Sequence, residues 1–83
     1  MNKIILDINV PALGVHFDIV VTPQIKVRDV CVLLGKAVEE YSDGAYVSSS
    51  DEVLCSASRG VILRAERYIS EYQLKNGDSL LFC

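Results

Sequence analysis

Eighty-three residues are enough for one domain with one core, and 51% hydrophobic against 23% charged residues excludes a disordered segment. A formal net charge of -3, with eight Lys and Arg residues scattered from Lys3 to Lys75, excludes the clustered cations that nucleic acid requires. The longest apolar runs, Ile4-Ile5-Leu6 and Val30 to Leu34, fall far short of the ~20 residues of a membrane span, so no direct membrane insertion is expected.

The chain opens with a period of two. Ile4, Leu6, Ile8 and Val10 share one parity, with Ile5, Asp7 and Asn9 on the other, which predicts a strand with one wet face. Asp7 also interrupts the apolar run too early for the h-region of a secretory signal, which predicts a cytoplasmic chain. Pro11-Ala12-Leu13-Gly14 turns the chain, and Val15, Phe17, Ile19 and Val21 alternate with His16, Asp18 and Val20 in a second strand. So short a connection makes the pair an antiparallel hairpin.

Thr22-Pro23-Gln24 ends the hairpin, because proline cannot continue a central ladder. The period then becomes helical. Val27, Val30, Leu33, Leu34, Ala37, Val38 and Tyr41 fall on one stripe, opposite Arg28, Lys36, Glu39 and Glu40. Ser42-Asp43-Gly44 stops this helix, with Gly44 suited to a left-handed C-cap. Ser48-Ser49-Ser50-Asp51 reads as surface loop, Glu52 to Ala57 as a short, poorly patterned strand, and Val61-Ile62-Leu63 as another. Arg64 to Ser70 is irregular, Ile69-Ser70-Glu71-Tyr72 suggests a brief helical turn, and Asn76-Gly77-Asp78 is a strong turn signal. The final strand, Ser79 to Cys83, buries Leu80 and Phe82 if it alternates.

A right-handed crossover through the helix delivers this last strand alongside the first, in parallel, at the middle of the sheet. The expected fold class is α+β: a β-grasp over residues 1–83, with a mixed sheet of four to five strands and one helix packed across one face.

Gly60 to Cys83 resembles the C-terminal part of ubiquitin without a gap, Ile69-Ser70-Glu71-Tyr72-Gln73-Leu74 standing where ubiquitin has Leu-Ser-Asp-Tyr-Asn-Ile. Leu54 to Cys83, above all Tyr72-Gln73-Leu74-Lys75-Asn76-Gly77-Asp78-Ser79-Leu80, is similar to the YukD/EsaB family of small ubiquitin-like proteins. That resemblance implies a bacterial accessory or regulatory component of the type VII (WXG100, Ess/Yuk) secretion system of Gram-positive bacteria. Its expected partners are protein components of that machinery, the cytosolic domains of membrane proteins.

The chain departs from ubiquitin at its end. It stops at Cys83 without the Gly-Gly tail that activating enzymes adenylate, so a modifier or sulfur carrier is the disfavoured alternative and a regulatory dimer unrelated to secretion another. The gapless register also puts Ala57, between Ser56 and Ser58, at the centre of ubiquitin's recognition patch, and Leu81 at its patch histidine.

No catalytic, metal or cofactor site is expected. His16 lies on the wet face with Asp7 and Asp18 but has no nucleophile to serve. Glu39, Glu40, Asp43, Asp51 and Glu52 lack the ligand order and glycine of a calcium loop, and read as a solvated helix end and loop. Cys31, Cys55 and Cys83 are odd in number and have no C-x-x-C spacing, which argues against disulfides and zinc; the first two read as small packing residues. The candidate partner-binding residues are apolar. Strand parity puts Ile5, Val20 and Leu81 on the face opposite the helix, where a contiguous apolar patch marks a protein contact. A homodimer through the same face is the alternative use of that patch.

Overall fold

The computed structural model describes residues 3–47 and 52–83, so the expected Ser48–Asp51 loop lies outside the described residues. Along the chain run β1 (Ile4–Val10), β2 (Val15–Val21), α1 (Val27–Tyr41), β3 (Leu54–Ser56), β4 (Val61–Leu63), a 3-10 turn (Ile69–Tyr72) and β5 (Ser79–Phe82). The first two strands and the helix fall where the periodicity puts them, and the 3-10 turn falls at the expected Ile69-Ser70-Glu71-Tyr72. β3 is shorter than the expected Glu52–Ala57 span, because Ala57 to Gly60 already form the turn into β4.

The five strands form one sheet in the order β2-β1-β5-β3-β4. β1 pairs antiparallel with β2 and parallel with β5, through Asp7 and Ser79, Ile8 and Leu80, Asn9 and Leu81. This is the β-grasp connection expected from the crossover. Turn chemistry fixes the register at its base: the Gly77 amide donates to the Ile5 carbonyl at 2.8 Å and the Ile5 amide to Asn76 Oδ1 at 2.8 Å. Gly77 takes φ +87°, a region that a Cβ would strain.

α1 covers one sheet face. Val27, Val30, Leu34 and Val38 join Leu6, Ile8, Val10, Leu54, Leu63, Ile69, Leu80 and Phe82 in one core. Leu33, Ala37 and Tyr41 were expected on the same stripe and are exposed instead. Among the described residues the sheet ends at β2, so no further strand covers the β2 side of the helix.

Both helix ends are satisfied by the surrounding chain. Lys26 offers no side-chain cap, and the amides of Val27 and Arg28 donate instead to the carbonyls of Arg67 and Ala65, at 2.9 and 3.1 Å. At the C-terminus the Gly44 amide reaches the Glu39 carbonyl and the Asp43 amide the Glu40 carbonyl, in the 6→1 and 5→2 pattern that closes a helix. Both residues have positive φ, so the left-handed turn begins one residue before the expected Gly44.

Candidate protein-binding surface

The face of the sheet away from α1 is read most directly from the strand registers. Asn9 opposes His16 on one side and Leu81 on the other, Leu81 opposes Cys55, and Cys55 opposes Ile62. One row therefore crosses all five strands: His16, Asn9, Leu81, Cys55, Ile62. The next row holds Asp18, Asp7 and Ser79, and beyond it Val20 opposes Ile5.

All three predicted residues are on this face, but not in one patch. Ile5 and Val20 are direct partners, 45% and 61% exposed. Leu81 is half-buried and sits beside Asn9, four positions along β1 from Ile5, about 13 Å away at ~3.3 Å per residue. Parity sets the face, whereas the pairing of β5 sets the height along it, and that pairing places Leu81 at the other end. Its cross-strand neighbour is Cys55, and Ile62, 63% exposed, lies one strand further along the same row.

Ala57 does not occupy the centre of this face. It is in the turn after β3, and Cys55 is the residue opposite Leu81. The gapless comparison with ubiquitin misplaces the register by two residues here, which keeps the parity and changes the neighbour. Cys55 and Ile62 could have been found from sequence by setting Leu54-Cys55-Ser56 against Val61-Ile62-Leu63 as a hairpin with an apolar residue outward on each arm.

The two apolar patches are divided by a hydrogen-bonded polar cluster. Asp7 accepts from Ser79 Oγ at 3.0 Å and Asn9 Nδ2 at 3.4 Å, and contacts His16 Nδ1 at 3.2 Å. His16 is thus paired with a carboxylate on the wet face. The Ser79 hydrogen bond, followed by the His16 contacts, holds the Asp7 carboxyl below its ordinary value of 3.8. A depressed folded value stabilises the fold above the unfolded pKa, and that stabilisation is lost as pH falls through the folded value, here below about 3.8. An NMR titration of the Asp7 carboxyl should give a midpoint under 3.8 that rises toward it in Ser79→Ala.

Burial raises the Cys31 thiol to about 11, and burial with the neighbouring Cys83 raises Cys55, so both are protonated and weakly nucleophilic at neutral pH. Of the acidic set, Glu52 accepts a hydrogen bond from the Tyr46 hydroxyl, Glu40 and Asp43 are exposed at the helix end, and Asp51 lies outside the described residues. Among the described residues no three His, Cys, Asp or Glu side chains gather as metal ligands.

No protein-family model matches the chain, and no curated protein matches it. Solved structures do. The ubiquitin-like domain of Plasmodium falciparum Dsk2 superposes with a TM-score of 0.70 at 20% identity, over 98% of this chain and 96% of that one. The EccD5 ubiquitin-like domain from Mycobacterium xenopi gives 0.79 at 18% identity, over 100% and 94%. A chain of the MycP5-free ESX-5 inner membrane complex gives 0.77 at 20% identity; the match covers 98% of this chain and only 20% of that one. Identities this low carry the fold and nothing finer. The fold is a ubiquitin-like β-grasp.

Proposed function

We propose that this chain is a non-conjugated ubiquitin-like protein-binding module of the YukD/EsaB type, a cytoplasmic accessory or regulatory component of a bacterial type VII secretion system that catalyses no reaction. The observation that carries the binding role is the row Leu81, Cys55, Ile62 on the sheet face that α1 leaves uncovered. A hydrophobic row rimmed by Asn9, Asp7 and Ser79 suits a partner's apolar anchor within a polar border. The secretion setting is supported by the Tyr72 to Leu80 resemblance and by the same fold in EccD5 and in the ESX-5 inner membrane complex.

Leu81→Glu tests the surface, because its side chain points away from the core and its β5 neighbours Leu80 and Phe82 stay in place. The variant should keep the wild-type circular dichroism spectrum and bind the cytosolic domain of a type VII membrane component at least tenfold more weakly, a loss of about 1.4 kcal/mol. Unchanged titration calorimetry would count against this face. A mass spectrum of the cellular protein showing an isopeptide or thiocarboxylate adduct would count against a non-conjugated module.

A further inference from the structure

β2 is an edge strand, with β1 on one side and, among the described residues, no strand on the other. Its two faces carry different unfinished business. On the outer face Asp18 stands directly opposite Asp7, a like-charge pair that weakens a ladder. Asp7 is answered by Ser79, Asn9 and His16. Asp18 is exposed, and no hydrogen bond or ion pair among the described residues reaches it. A groove of about 240 Å³ runs between β2 and α1, its lining made of Ile19, Val20 and Val21 from the strand and Val30, Leu33, Leu34 and Ala37 from the helix. Leu33 is 59% exposed there.

We infer that a second copy of this chain pairs with the β2 edge, antiparallel and about a two-fold axis through Phe17. Side-chain alternation restricts the choice, because residues set opposite each other across the seam must share a face. An axis through Asp18 opposes two aspartates, one through His16 opposes two histidines, and one through Ile19 sets Asp18 against Val20. Only the Phe17 axis sets His16 of each copy against Asp18 of the other, twice over. It sets the His16 ring of the other copy beside Asp18, which has no such partner in its own sheet, while Nδ1 of His16 stays in contact with Asp7.

The same axis joins two five-stranded sheets into one with both helices on the same side. The two grooves then face each other across the seam, and Leu33 and Ala37 of each copy border a shared apolar trough. Charged side chains on an edge strand ordinarily discourage such pairing. Here the sequence order His16-Phe17-Asp18 makes them self-complementary. This interface uses neither Leu81 nor Ile62, so it stands or falls separately from the partner-binding row.

Sedimentation of the full chain from about 10 µM to 1 mM, with amide NMR shifts followed on dilution, tests the inference. The expected result is a concentration-dependent dimer whose shifts map to His16–Val21, Leu33 and Ala37. Asp18→Lys should weaken it at least tenfold, and the double variant His16→Asp/Asp18→Lys, which again sets an acid opposite a basic side chain, should restore it. A chain monomeric at 1 mM would overturn the inference, as would shifts centred on Leu81 and Ile62, or a double variant as weak as Asp18→Lys. Capture of a basic peptide along β2 by a chain that stays monomeric would also overturn it.

Discussion

Leu80→Glu is expected to leave the chain unfolded, while Leu81→Glu, one residue on, leaves it folded. Leu80 is 1% exposed and belongs to β5, the strand held between β1 on one side and β3 on the other. Its side chain faces α1 among Ile8, Leu54 and Phe82, all core residues. A carboxylate there has no cation to pair with and no water to hydrate it. It must stay ionised at a cost of several kcal/mol, take up a proton, or force β5 out of the sheet. A domain of this size has roughly 5–15 kcal/mol of stability in all, and the lost leucine burial adds to the deficit. Far-UV circular dichroism and amide shift dispersion would read the outcome. A cooperative thermal transition for Leu80→Glu close to wild type would mean that β5 does not occupy the centre of the sheet.

The same alternation makes much of the fold legible in the sequence. Period-two alternation fixes β1 and β2 residue by residue, because over seven positions one parity of each is more buried than the other, fully so in much of β1 and half-buried in β2. α1 was equally clear from its period. The three-residue strands β3 and β4 offer too few positions for alternation alone to set Cys55 and Ile62 in the row of Leu81. Parity named the correct face for Ile5, Val20 and Leu81, yet height along a face depends on strand pairing, which is a tertiary property. Leu33 and Ala37 fell outside the core for a related reason. Helical periodicity reports which stripe is apolar, and it does not report how wide the sheet beneath it is.

The segment from Arg64 to Ser70 has no periodicity of its own, and its importance lies in a single side chain. Ile69 is fully buried, and its amide donates to the Ile25 carbonyl at 2.9 Å. Around it the Ser70 amide reaches the Pro23 carbonyl, Arg67 and Ala65 carbonyls receive the first amides of α1, and the Lys26 ammonium lies 5.6 Å from the Tyr68 ring centroid. The loop therefore caps the helix, and Ile69 is the apolar anchor that holds the cap against the core.

Ile69→Ala removes three carbons from a site that the surrounding backbone hydrogen bonds prevent from collapsing, so the expected loss is about 2–5 kcal/mol. In a domain of this length that corresponds to a melting temperature lower by about 10–30 °C. Ile69→Val should cost only about 0.5–1.5 kcal/mol, which separates a cavity effect from a general intolerance of change. Amide exchange at Val27 and Arg28 should quicken in the alanine variant more than at Ile8 or Leu6, since the cap loosens before the central strands do. If Ile69→Ala melted within a few degrees of wild type, the loop would be resting on the helix by its hydrogen bonds alone, and the core would close without it.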